Sequence, residues 1–292
     1  MAEFIKKILW PTDFSDEAQD ALLYADAFAR AFKANITALH VVPDVSPALY
    51  EAADVIKGEI AERVSVVKDK RKKQMEKIGK SQNMTFKTLI KEGNAAKKIV
   101  ETAEEEKADL IVLGKRGLSA IEKLFIGSVA NQVLRNSSVP LLLTKKDQGK
   151  PRFTKIVVPT DFSEMEEKER DYAWKLAKNF DSHLFLLHVL ELHDYKFPPR
   201  VLDEMFDSVK KKLRQRKKRE KEDINVYEDV THSVNAALGI TDYADEKKAD
   251  MIVMSTYVHS KWERFFLGST TEKVISYSSI PVLAIPPSFW EK

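Results

Sequence analysis

The segment Leu9-Trp-Pro-Thr-Asp-Phe-Ser15 returns as Val157-Val-Pro-Thr-Asp-Phe-Ser163, 148 positions on, and Leu39-His-Val41 returns as Leu187-His-Val189 at the same offset. Further along, Ala108-Asp-Leu-Ile-Val-Leu113 reappears as Ala249-Asp-Met-Ile-Val-Met254, and Ser138-Val-Pro-Leu-Leu142 as Ser279-Ile-Pro-Val-Leu283, both at an offset of 141. A chain of 292 residues written as two copies folds as two like units, each of ordinary domain size and able to bury its own core. The change of offset places a deletion between the second strand and the glycine loop of the second copy, a connecting region where length changes are tolerated. The joint is the polar stretch Lys145-Lys-Asp-Gln-Gly-Lys-Pro-Arg152. The units read as 1–146 and 152–288.

Within the first copy, apolar runs near 5–10, 35–41, 85–90, 109–113 and 140–144 read as strands, separated by stretches with helical periodicity. Ala18, Ala21, Leu22, Ala25, Ala29 and Phe32 lie on one helical face, with Ser15 placed as its N-cap. Alternating strands and helices predict an α/β fold with a doubly wound parallel sheet and right-handed crossovers. In such folds ligands bind outside the carboxyl ends of the strands, at the topological switch point.

Two motifs land on that edge. One is the Pro11-Thr-Asp turn. The other is Gly114-Lys-Arg-Gly117, nine residues, then Gly127-Ser128, set between a buried strand and a helix carrying Val129, Ala130, Val133 and Leu134. Glycines allow tight turns and close approach to a ligand, and a helix start offers unpaired N–H groups to an anion. The spacing is neither a P-loop nor a dinucleotide fingerprint. Asp13 suits a ribose hydroxyl or an amine, or else simply satisfies a helix N-terminus. Lys115 and Arg116 stand where loop cations can pair with phosphates.

Composition closes other routes. The absence of cysteine excludes disulfide scaffolds, thiol catalysis and thiolate-bound metal. His40 and His188 have no second ligand at metal spacing, so no metal site is expected. The N-terminal sequence has no signal-peptide core and no apolar run reaches membrane-span length, which leads to a cytoplasmic expectation with no membrane partner. A net charge of +3 gives no case for nucleic acid. The basic run Lys210–Lys221 reads as the solvated face of an amphipathic helix whose other face is Leu202, Met205, Phe206, Val209 and Leu213.

Pro11-Thr-Asp-Phe-Ser15, Leu39-His-Val41, Ala108-Asp-Leu-Ile-Val, the Gly114/Gly117/Gly127-Ser128 pattern and Val139-Pro140 together resemble the universal stress protein family, in its ATP-binding branch, as a tandem of two domains. The resemblance implies a Rossmann-like five-stranded sheet in order 3-2-1-4-5 in each copy, with an adenine nucleotide, ATP or AMP, across the switch point and magnesium accompanying ATP. It places Pro11, Thr12 and Asp13 at the adenosine end and Val41 against the base. Leu113, Gly114 and Gly117 then follow the nucleotide to phosphates that meet Gly127, Ser128, Val129 and Ala130, with Arg116 beside them. It also implies that the last strands of the copies pair antiparallel as an internal pseudo-dimer, with further homodimerisation left open. A role in stress physiology rests on the resemblance alone.

The second copy keeps Pro159, Thr160, Asp161, Val189, Gly268 and Ser269, a possible second site, but Gly114 and Gly117 become Ser255 and Val258. Ser269-Thr-Thr-Glu272 reads as a capping box with Glu272 returning to the Ser269 N–H, where the first copy has neutral Asn131. Bulk and charge are therefore expected to disfavour phosphates there. The functional expectation is an adenine-nucleotide-binding regulator. The alternatives are a slow ATPase or nucleotidyl-transferring enzyme on the same fold, and an interaction scaffold using the basic helix.

Overall fold

The computed structural model describes residues 4–44, 57–115, 126–145, 151–163, 166–193, 195, 197–216, 224–256 and 267–291. The first half contains β1 (Lys7–Pro11), α1 (Asp16–Phe32), β2 (Asn35–Val42), α2 (Lys57–Ser81), β3 (Lys87–Glu92), α3 (Ala95–Glu105), β4 (Leu110–Gly114), α4 (Ser128–Asn136) and β5 (Leu141–Thr144). The second repeats the order with β6 (Lys155–Pro159), α5 (Glu166–Phe180), β7 (His183–Glu191), α6 (Pro199–Arg216), β8 (Val226–Ser233), α7 (Ala236–Lys247), β9 (Met251–Ser255), α8 (Ser269–Tyr277) and β10 (Val282–Ile285). The expected helix cap is present: Ser15 Oγ accepts the Ala18 N–H at 3.2 Å.

One ten-stranded sheet runs through the molecule in the order β3-β2-β1-β4-β5-β10-β9-β6-β7-β8. Each half is thus parallel with the order 3-2-1-4-5 that the resemblance implied, and the halves join where β5 and β10 pair antiparallel, Leu143 opposite Val282 and Leu142 opposite Leu283. The last strands of the repeats cover each other, leaving β3 and β8 as outer edges. Strand alternation divides the core between the sheet faces: Ile8, Trp10, Leu142, Ile156 and Leu283 on one, Leu9, Leu141, Leu143, Val157 and Val282 on the other. Both cores draw on both repeats. On the first face Phe28 of α1 lies edge-on to Phe180 of α5, with ring centroids 4.9 Å apart.

In α6, Leu213 is buried while Lys211, Lys212 and Arg214 are exposed, as the amphipathic reading requires; residues 217–221 lie outside the described residues. No helix among the described residues is long and apolar enough to cross a membrane.

Candidate functional site

Side chains of the Pro-Thr-Asp-Phe-Ser segment build its turn. Thr12 Oγ1 accepts the Phe14 N–H and Asp13 Oδ1 accepts the Ser15 N–H, each at 3.0 Å. These bonds hold Phe14 at φ 68°, a left-handed conformation that a bulky residue seldom adopts. The His40 Nδ1–H donates to the Thr12 carbonyl at 2.7 Å, since a carbonyl can only accept. Burial holds the imidazole below its ordinary pKa, and the Arg71 charge acts in the same direction. The second repeat reproduces the turn, with Thr160 holding Phe162 (3.2 Å), Asp161 holding Ser163 (2.9 Å), Phe162 at φ 62° and His188 at 2.7 Å from the Thr160 carbonyl.

Beyond this turn the strands diverge. β1 and β4 pair only as Ile8 with Leu110 and Leu9 with Ile111, and β6 and β9 only as Ile156 with Met251 and Val157 with Ile252. A crevice therefore opens at the carboxyl edge of each half. The first encloses about 690 Å³, its mouth included, which suits a small organic ligand. Its walls include Pro11, Thr12, Asp13, Val41, Leu113, Gly114, Gly127, Ser128, Val129 and Ala130. Arg116 and Gly117 lie outside the described residues. Sequence reasoning did not assign Ala18, Leu39, Ala95 and Ile99 to the site, where they complete an apolar slot.

The α4 entrance has the features an anion needs. Its N-cap, Gly127, supplies no side-chain bond, and the first intrahelical bond runs from the Asn131 N–H to the Gly127 carbonyl at 2.9 Å. The N–H groups of Ser128, Val129 and Ala130 come before that bond, at the positive end of the helix dipole. Gly127 has φ −58°, open to any residue, so its role here is to leave space rather than to permit a special backbone.

Lys115 departs from expectation. Its side chain is buried, and Nζ donates to the Ser276 carbonyl in the last turn of α8, across the seam between the repeats. The ammonium satisfies a helix C-terminus and is not placed for a phosphate.

The second crevice is lined by Pro159, Thr160, Asp161, Val189, Ser255, Gly268 and Ser269 and is larger, about 1410 Å³ with its mouth. Its described part is not narrowed; Val258 lies outside the described residues. The capping box does not form. Gly268 is the N-cap, so Glu272 sits one position beyond the place that reaches back. Its carboxylate pairs instead with Arg135 of α4 at 3.1 Å. The residue sequence reasoning missed is Glu169. Positions Ala18, Ala21 and Leu22 of α1 correspond at offset 148 to Glu166, Glu169 and Arg170 of α5, all buried. Glu166 pairs with Arg170 at 3.6 Å, while Glu169 lines the crevice and its Oε1 accepts the Ser255 N–H at 2.8 Å. Burial pushes the Glu169 carboxyl well above the usual range, Asp161 and Glu166 push it further, and the Ser255 N–H opposes them. Charged residues at i, i+3 and i+4 on an otherwise buried helix face were the available signal. Among the described residues no group of three His, Asp or Glu side chains gathers as a metal site.

The family model for the Universal stress protein family matches residues 5–145 and again 152–286. A universal stress protein of Methanocaldococcus jannaschii is 38% identical over 141 residues, covering 48% of this chain and 82% of that protein. One from Mycolicibacterium smegmatis is 22% identical over 289 residues, covering 96% of this chain and 97% of its own length. The crystal structure of a universal stress protein from Archaeoglobus fulgidus superposes with a TM-score of 0.64 over 95% of both chains at 24% identity, a likeness of fold.

Proposed function

The chain belongs to the universal stress protein family as a tandem of two such domains, and on that premise we propose that its first crevice binds an adenine nucleotide, ATP or AMP, in a regulatory rather than a strongly catalytic role. The observation that carries this reading is the convergence of Pro11-Thr12-Asp13, Val41, Leu113-Gly114 and the uncapped start of α4 on one crevice. An apolar slot faces a base, a carboxylate sits at the β1 turn, and free helix N–H groups suit phosphate oxygens. Magnesium would arrive with the triphosphate. The proposed physiological setting is the cytoplasmic stress response, in keeping with the family.

Mass spectrometry of nucleotide released from the purified protein tests the reading and names the ligand. Recovery of an adenine nucleotide at a substantial fraction of one per chain supports it. If a different compound is recovered, the ligand assignment is wrong. Turnover assays on nucleotide-loaded protein separate a binding regulator from a slow ATPase or a nucleotidyl-transferring enzyme.

A further inference from the structure

The two crevices share a turn and a fold but differ in what meets the N–H at the end of β4 and of β9. Lys115 N–H bonds the Thr144 carbonyl, so strand alternation turns the preceding Gly114 N–H toward the first crevice. In the second repeat the Thr256 N–H bonds the Ile285 carbonyl and the preceding Ser255 N–H likewise turns inward, but there the Glu169 carboxylate already takes it. The position equivalent to Glu169 in the first repeat is Ala21. Glu169 is only 7% exposed and lines the crevice, and no described residue hydrogen-bonds its second oxygen, Oε2. Asp161 and Glu191 also line this crevice, and no lysine or arginine does so among the described residues. Leu187, Ile240 and Met254 supply an apolar wall.

We propose that the second crevice is a nucleoside site, in which Glu169 Oε2 accepts a hydrogen bond from a ligand hydroxyl at the place where the first crevice meets phosphate. The inference rests on the nucleotide reading of the first crevice, because the shared Pro-Thr-Asp turn and the valine at Val41 and Val189 give both crevices the same adenosine-facing wall. The selectivity lies in which donors the crevice leaves open. The described cavity is open and large, so a triphosphate is not excluded by size. It is disfavoured because Glu169 already takes the strand-end N–H that the first crevice leaves to an anion, so a phosphate meets an occupied donor there. A neutral nucleoside carries no such penalty and brings the hydroxyl donors that Oε2 lacks. Glu169 is thereby a specificity determinant, and the tandem chain reads two forms of one metabolite class.

The test uses the full chain with Gly127→Asp closing the first crevice, titrated with adenosine, AMP and ATP while the Ser255 amide is followed by NMR. Adenosine is expected to saturate one site and shift the Ser255 amide, with ATP at least about tenfold weaker. Glu169→Ala, the first-repeat residue, frees the Ser255 N–H and should narrow the adenosine-over-ATP preference about tenfold. Glu169→Gln keeps the bond from Ser255 and should leave the preference in place, which separates occupation of that N–H from the side chain's charge. ATP binding as tight as adenosine in the Gly127→Asp chain, failure of adenosine to saturate it, or a preference unchanged by Glu169→Ala overturns the proposal. Failure of the nucleotide reading itself is a separate result: absence of ATP binding in the unmodified chain.

Discussion

Arg135 Nη2 stands 3.1 Å from Glu272 Oε2, so the helix that opens on the first crevice is tied to the helix that opens on the second. Arg135 Nε also donates to Asn131 Oδ1 at 2.9 Å, back toward the start of α4. Both members of the ion pair are more than a third exposed, and solvent screening leaves such pairs small. Glu272→Ala is expected to lower stability by less than about 1 kcal/mol, measured by chemical denaturation. It is also expected to leave ATP affinity in the second crevice unchanged, because the carboxylate faces the seam. A large gain in triphosphate binding would return Glu272 to the role of phosphate repeller.

The seam gives the two repeats a common sheet and common cores. Leu142 and Leu283 are fully buried opposite each other in the β5–β10 pairing, and each core cluster contains residues of both halves. Calorimetric melting is expected to show a single transition. Leu142→Ala should lower the whole of it, at a cost of about 2–5 kcal/mol. Two resolved transitions, with only the first displaced, would show that the halves fold independently.

Glu169 gives stability an unusual dependence on pH. Its folded pKa lies well above the value of 4.5 for an ordinary Glu, through burial first and then the Asp161 and Glu166 charges, against the Ser255 N–H. From about that value up to the raised folded pKa, the folded protein holds a proton that the unfolded chain has lost. Stability therefore falls as pH rises through that window. Glu169→Gln, which has no proton to lose, should flatten this component of the profile in denaturation measured from pH 4 to 9. A slope identical to that of the unmodified chain would mean that Glu169 titrates as an ordinary surface carboxyl.

Gly239 of α7 packs closely against β7 and the end of β8. A Cβ at this position would lie 2.5 Å from Val189 Cγ1 and 3.0 Å from Ser233 Cβ. Valine has little rotameric freedom with which to yield. Gly239→Ala is expected to destabilise the chain by about 1–3 kcal/mol, overriding the gain in helix propensity of roughly 1 kcal/mol. Ligand binding in the first crevice should be untouched. A net stabilisation in thermal melting would show that α7 can move away from β7 at little cost.

The readable parts of this molecule were those set by local chemistry. Thr12, Asp13 and Ser15 bond within a few residues of themselves, so the turn and its placement on the sheet edge could be inferred from a short motif. The strands of the sheet were legible from apolar runs bounded by turn residues. Partners remote in sequence were not legible. Lys115 lies in a loop that looks solvated, and only the β5–β10 pairing brings Ser276 beneath it. Glu272 matched a capping pattern, but the helix starts so that Thr271 holds the position that would reach back, and its hydroxyl instead donates to the Ser255 carbonyl at 2.9 Å. Glu169 belongs to no local motif, and its difference from the first repeat shows only where it replaces Ala21 at the matching position.

Calorimetric titration of the full chain with ATP, repeated on Gly127→Asp, tests the central claim most directly. The Gly127 backbone is open to aspartate, a favourable N-cap, so the variant should fold while placing a carboxylate at the α4 entrance. The unmodified chain should take up about one ATP per molecule with micromolar-to-millimolar affinity, roughly −8 to −4 kcal/mol, and the variant should bind at least about tenfold more weakly. No heat and no competition among ATP, ADP and AMP, or equal affinity in the folded variant, would contradict a nucleotide site in the first crevice.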